Sequence, residues 1–487
     1  MAEAALSIAL PFLMCLLAVP LGRRAAGLIW MAAPVALALA GRLVWRVLAD
    51  GPGVHAPGGW GAPLGIELRV DGLAAAFVLA SALVCAGAGL FARSYLAAAT
   101  ETRKGFAFWP LFYACWAAVN AVFLGGDLFN LYVALELLTV AAVAMVALEG
   151  KAPQLAAATR YLLFALLGSL AFLAGVVLIY GAHGMMDIAR LRSVLEPGPA
   201  VLLALLLMSV GLMAKAALFP LQGWLPDAHG GAPAPASALL SALVVKAALY
   251  ILLRIWFDLA PEVAGPRLMT GLGLLGALGV AYASVQALRQ TRLKRIVAYS
   301  TIAQLSYLML VFPLAGGAEP RAWAEAAWSG AMLQALAHAL AKAAMFLAAG
   351  VMVLAAGDDR LDHMAGVSRQ APMAGFAFAL AAVSLMGLPP GGGFLAKYLM
   401  LTAAFDSGGW LWAAVLLAGG LASAAYLFRP LTRLMTARGE EAPPLSPTPR
   451  SLQWPPLILA LAALALGLVP GAYELLQAGA PLPEARP

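Results

Sequence analysis

The sequence predicts an all-α polytopic membrane protein of about 14 transmembrane helices, built as two inverted five-helix repeats that each contain a broken helix. Three observations carry that prediction. The chain is 63% hydrophobic and 11% charged, whereas soluble domains carry roughly 25% charged residues. Apolar stretches of about 20 residues, the length that crosses a bilayer, follow one another along the chain. Two of the longest are interrupted by proline and glycine, and they stand five spans apart.

In chain order, an N-terminal group (1–105) holds spans 4–22, 25–48 and 72–96. The first of these lacks a basic leader and an A-x-A cleavage site, so it reads as a retained helix. The next five spans, 106–124, 128–148, 157–180, 203–229 and 236–256, form the first repeat over 106–257. Spans 268–288, 296–314, 326–356, 371–403 and 410–430 form the second over 268–433. A Pro-rich polar linker from Arg438 to Pro455 leads to a last span at 452–473, within a C-terminal segment 452–487. Span 7 contains Pro220 and Pro226, and span 12 contains Pro389-Pro390-Gly391-Gly392-Gly393. Proline removes a backbone donor and clashes with the preceding turn, so both spans are expected to be discontinuous. Breaks at matching places in two halves point to a transport site. An odd offset of five makes the two broken helices run in opposite directions, as inverted repeats do.

The loop charges set the orientation. Of the thirty Lys and Arg, seventeen follow odd-numbered spans, nine lie on the other side and four fall inside spans. By the positive-inside rule the odd loops are cytoplasmic and both termini face the periplasm of a bacterial inner membrane. The net charge of +7 is spread over short loops, so it does not point to a nucleic-acid partner. Cys15, Cys85 and Cys115 lie in apolar spans without CxxC spacing and read as buried thiols.

The four lysines inside spans are Lys215, Lys246, Lys342 and Lys397, of seven in the chain. An ammonium at bilayer depth costs on the order of 3 kcal/mol on insertion scales, and such groups mark ion or proton paths. Lys215 lies five residues before Pro220 and Lys397 seven after Pro390, so each accompanies a break. Glu136, about eight residues into span 5, is the one carboxylate placed deep in the bilayer. Its approach or withdrawal would switch a nearby ammonium, Lys215 above all, between holding and releasing a proton. Lys246 sits in the middle of span 8 and is the next step. His338 and Lys342, four residues apart, share one helix face and suit proton hand-over. Lys397 is the exit group. Lesser polar positions are Asp71, Asp227 and His229, with Asp71 and Asp227 read as caps or interfacial groups, and Tyr299, Ser300, Gln304 and Tyr307 in span 10. No nucleotide-binding glycine motif, Fe–S cysteine cluster or paired haem histidines are seen, so no cofactor or metal is expected. One deep carboxylate is too few hard oxygen ligands to argue a Na+ site.

Five segments, GDLFNLYVALELL (126–138), the stretch from Lys215 to Lys246, LKRIVAYSTIAQLSY (293–307), HALAKAAMFLAAG (338–350) and GLPPGGGFLAK (387–397), resemble the antiporter-like subunits of respiratory complex I and Mrp-type Na+/H+ antiporters. GDLFNLY is similar to the Mrp D-type subunit and its hydrogenase relatives, and LKRIVAYSTIAQ to the complex I subunits. The resemblance implies a fourteen-helix fold and a mid-membrane proton channel, with Glu136 as key carboxylate, Lys215 as broken-helix lysine, Lys246 as bridging lysine, His338 and Lys342 as the pair, and Lys397 at the exit. It implies other membrane subunits as partners, protons as cargo and Na+ as a candidate exchanged cation. The chain departs from the pattern at Arg292, where an acidic residue is frequent, and at Gly391–Gly393, where Ser-Gly is usual. Two rival readings are a proton-pumping arm of an NADH-quinone oxidoreductase or membrane-bound hydrogenase, which would make the chain part of an enzyme, and a single-chain carrier of an anionic solute. A partnership with a bicarbonate-uptake protein is a further alternative.

Overall fold

The computed structural model describes residues 2–62, 64–97, 102–438 and 444–482. Arg486, one of the nine cations on the side opposite the odd loops, lies outside the described residues, as does part of the linker before the last span. Among the described residues twelve helices are long and apolar enough to cross a bilayer. They are Ala2–Gly27, Ile29–Asp50, Gly72–Ala97, Gly105–Leu124, Leu128–Ala147 and Ala152–His183, then Ala234–Leu259, Pro266–Arg289, Leu293–Ala315, Ala324–Ala356, Trp410–Met435 and Arg450–Leu468. Two further crossings come in halves: Pro199–Lys215 followed by Leu225–Gly231, and Pro372–Met386 followed by Gly392–Asp406. These are spans 7 and 12, which completes a fourteen-span bundle. The last span starts at Arg450, before the expected 452, and a short helix, Pro470–Gln477, follows it.

The two breaks are built alike. In span 7 the Leu218 N–H donates to the Met213 carbonyl (2.9 Å) and the Ala217 N–H to that of Ala214 (3.3 Å). In span 12 Leu388 donates to Val383 (3.1 Å) and Gly387 to Ser384 (3.2 Å). Ala217 and Gly387 have φ of 52° and 82°. A left-handed residue with this pair of bonds is the Schellman helix ending, and in both halves a leucine and then cis-Pro220 or cis-Pro390 follow within three residues. Loop pairing repeats as well. Asp127 bridges Asp187 between the loops before spans 5 and 7, and Arg292 bridges Arg360 between the loops before spans 10 and 12. The offset of five places these bridges on opposite faces of the bundle. The first face also carries a two-stranded antiparallel hairpin, Gly53–His55 with Leu68–Val70, in a stretch whose sequence reads as loop. We call it the hairpin face.

Small residues set the close packing that membrane helices rely on. Gly168 of span 6 and Gly211 of span 7 each lie against the other's carbonyl oxygen, with no room for a methyl group on either. Span 8 is enclosed throughout, and span 11 is buried over nearly all of 327–352. Lipid-facing sides bear large exposed apolar residues such as Leu167, Leu170 and Leu421. At the second break a methyl on Gly393 would overlap the Ser384 carbonyl oxygen. Gly393→Ala is therefore expected to destabilise the chain by about 1–3 kcal/mol, read as a lowered unfolding temperature in detergent; unchanged unfolding would show that span 12 adjusts freely there.

Candidate functional site

Asp127 caps span 5 by accepting the Asn130 N–H at 2.8 Å. That start places Glu136 and Thr139 one turn apart, facing the end of the first half of span 7. Lys215 is the last residue of that half-helix, where the orphan carbonyls and the helix dipole favour a cation. Its Nζ donates to Glu136 Oε1 at 3.0 Å and to Thr139 Oγ1 at 2.8 Å. The Ser169 hydroxyl of span 6 also donates to Glu136 Oε1. The ammonium is enclosed, 5% exposed, while the carboxylate is 26% exposed. Trp224 holds the break: its Nε1 donates to the Ala214 carbonyl (2.9 Å) and its ring stacks on Tyr161 at 3.9 Å.

Lys246, fully inside span 8, donates to the Ser241 carbonyl at 2.9 Å. That acceptor lies in a π-helical segment, Leu240–Val244, a distortion frequent at functional sites. Ser241 and Thr301 of span 10 share a hydroxyl–hydroxyl bond of 2.8 Å. Lys342 of span 11 donates to the Val297 carbonyl (3.1 Å) and to the Ser300 hydroxyl of span 10. His338, 0% exposed, has a hydrogen-bond partner at neither ring nitrogen among the described residues. It shares a helix face with Lys342 without bonding to it. A buried imidazole with both nitrogens unsatisfied is costly unless water reaches it.

Lys397 crosses the second break. Its Nζ donates to the carbonyls of Leu385 (2.9 Å) and Met386 (3.1 Å), the last residues of the first half-helix, and lies 5.1 Å over the Tyr307 ring. Each break thus holds an ammonium at the C-terminal end of its first half-helix. Gln304 joins Lys397's surroundings by donating to the Leu385 carbonyl (3.3 Å) and to Ser423 (3.2 Å), and it accepts from Gln334 (2.6 Å). Of the six sequence-selected residues, Glu136 and Lys215 bond directly. Lys246, Lys342 and Lys397, in spans 8, 11 and 12, are linked through hydroxyls, carbonyls and amides of span 10 rather than to one another, and His338 joins none of these bonds among the described residues.

Three features are not apparent from the sequence. Glu136 is not the only carboxylate within the bundle: Asp71 and Asp258, each 1% exposed, sandwich Arg254 at the hairpin end of spans 3 and 8. Arg254 donates to Asp71 Oδ1 (2.7 Å) and Asp258 Oδ2 (2.8 Å), and Arg69 pairs with both carboxylates at 2.9 Å. Asp71 also caps span 3 through the Ala74 N–H (2.9 Å). The i, i+4 spacing of Arg254 and Asp258 is the available signal, but their place at a span end reads as loop. A fifth lysine, Lys294, is buried at the opposite face and donates to the Ala232 carbonyl. Beside it a cavity of about 290 Å³ is lined by Arg160, Asp227, Arg292, Arg295 and Asp359 among others. Asp227 pairs there with Arg160 (2.6 Å) and with Arg295. Burial pushes the Asp359 carboxyl above its ordinary value, and Arg292 opposes the shift.

Residues 125–422 match the family described as NADH:quinone oxidoreductase/Mrp antiporter, TM. The chain is 35% identical to NADH-quinone oxidoreductase subunit N of Desulforudis audaxviator, over 89% of this chain and 87% of that one. It is 31% identical to the D-type subunit of a Na(+)/H(+) antiporter from Alkalihalophilus pseudofirmus, over 75% and 72%. Among solved structures, a chain of the Mrp complex from Dietzia sp. DQ12-45-1b superposes with a TM-score of 0.87 at 25% identity, covering 99% of this chain and 97% of that one.

Proposed function

The chain belongs to the NADH:quinone oxidoreductase/Mrp antiporter transmembrane family, and on that premise we propose that its proton path is the series Glu136, Lys215, Lys246, His338/Lys342 and Lys397. It is a multi-pass, antiporter-like membrane subunit of the Mrp and complex I type, a class that translocates protons and works with other membrane subunits. The observation that carries the path is the Glu136–Lys215 pair at the broken helix, 3.0 Å apart. Withdrawal of the carboxylate destabilises the enclosed ammonium and drives its proton onward through water to Lys246. Hydroxyls and amides of span 10 then connect the central lysines toward the second break. Intake is from the charged cavity around Asp227 on the face opposite the hairpin, which we take as cytoplasmic from the positive-inside count. The hairpin face and both termini are then outside. The matched breaks and the loop bridges on opposite faces support the division into repeats 106–257 and 268–433.

The test is proton flux in vesicles carrying the assembled complex. Lys246→Ala and Lys342→Ala are each expected to lower flux by about 100-fold or more, and Lys397→Ala likewise. Retained flux in Lys397→Ala alone would remove the exit assignment and leave the rest. Retained flux in Lys246→Ala would remove the path.

The relationship to an N-type subunit of NADH-quinone oxidoreductase over most of both chains favours a second reading of the assembly, a pumping arm driven by a redox module. Co-purifying subunits decide it. Flavin or Fe–S proteins identify that arm, and small hydrophobic subunits identify a cation/proton antiporter, with Na+ the first exchange cation to assay.

A further inference from the structure

Span 8 carries Lys246, Tyr250, Arg254 and Asp258 at four-residue intervals, so they follow one another along the helix from its middle to the hairpin face. Tyr250 joins two structures there. Its hydroxyl donates to the Phe123 carbonyl (2.7 Å) and accepts from Arg254 Nη2 (2.7 Å), and the guanidinium lies 4.9 Å over its ring. The ring itself packs with Phe77 of span 3 (5.4 Å) and Phe123 of span 4 (5.2 Å), which stand 5.0 Å from each other. All three rings are buried. One turn to one side is Lys246. To the other side is the Asp71–Arg254–Asp258 cluster, whose Asp71 and Arg69 line a cavity of about 240 Å³ at the hairpin face.

We propose that Tyr250, with Phe77, Phe123 and Arg254, seals Lys246 from the water of the hairpin side. A proton crosses a protein along connected water or groups that exchange it; three rings packed this closely exclude water, and the Tyr250 hydroxyl proton is already committed to the Phe123 carbonyl. The guanidinium beyond them, held by Asp71 and Asp258, fixes the Tyr250 hydroxyl from the hairpin side. The inference rests on the reading of Lys246 as a relay member. Without a seal, its proton would escape at mid-path and the second half of the relay would be bypassed. Tyr250 is a positioning residue in this account: it holds the rings and the guanidinium in one closed arrangement and carries no proton.

A brace joining spans 3, 4 and 8 would use the same contacts, so the test reads proton leak rather than stability. The full chain in its native complex is reconstituted into liposomes, and passive acidification is followed with an entrapped pH dye under a potassium diffusion potential. Phe77→Ala and Tyr250→Ala are expected to raise the leak at least severalfold over the parent at equal incorporation. Tyr250→Phe, which keeps the ring and frees Arg254, raises it less. Phe77→Leu, which keeps apolar volume, serves if the alanine variants do not assemble. Adding Lys246→Ala to Phe77→Ala is expected to close the leak again. Vesicles as tight as the parent would overturn the seal, and so would a leak that Lys246→Ala leaves unchanged. Tight vesicles would leave the relay standing, since that is judged by flux lost in the lysine variants.

Discussion

Lys215→Ala lowers proton flux through the reconstituted complex by about 100-fold or more, the scale of losing a proton-transfer group, while the chain still inserts and assembles. The reason lies in the unequal burial of the pair. Removing the enclosed ammonium leaves Glu136, which is 26% exposed and keeps Ser169 as a donor. The stranded carboxylate can take up a proton and become neutral, so the fold survives and the flux does not. Glu136→Gln acts from the other side. The ammonium keeps Thr139 but loses its counter-charge, and the cycle of carboxylate approach and withdrawal is gone. Flux falls in the same direction, and Glu136→Asp restores part of it because the charge returns on a shorter arm. Flux assays alongside quantified assembly decide the matter. Normal assembly with full flux in both Lys215→Ala and Glu136→Gln would contradict the mechanism.

Arg254→Ala has the opposite signature, a loss of folded protein. It leaves Asp71 and Asp258, each 1% exposed, with Arg69 as their remaining charged partner. Removing one member of a buried ion cluster costs about 3–5 kcal/mol, because the charge left behind has lost its compensation. That is a large share of a domain's net stability. Arg254→Lys does not repair it, since one ammonium cannot present the planar fork that reaches both carboxylates and the Tyr250 hydroxyl. Monodispersity and yield of the solubilised complex measure the effect. A parental yield of Arg254→Ala would show that the cluster contributes nothing to folding.

The sequence carries most of the architecture because bilayer spans are written in composition. Fourteen apolar stretches and the prolines at 220 and 390 require crossings and breaks wherever the tertiary contacts fall. Lys215, Lys246, Lys342 and Lys397 are legible for the same reason: an ammonium in an apolar stretch has no cheap place to go. The partners of those lysines are not. That Lys397 turns back to Leu385 and Met386, or that Ser300 rather than His338 meets Lys342, depends on helix rotations and rotamers that no spacing encodes. The Asp71–Arg254–Asp258 cluster is hidden because residues near span ends read as loop until neighbouring helices enclose them. The hairpin at 53–70 is hidden because it pairs three residues with three.

The central claim is that water connects the buried basic groups, and a density map of the assembled complex fine enough to show ordered solvent tests it most directly. Waters are expected between Lys215, Lys246, Lys342 and Lys397, with at least one bonded to a His338 ring nitrogen. Dry apolar packing around His338 and between those ammonium groups, in the conducting complex, would contradict it.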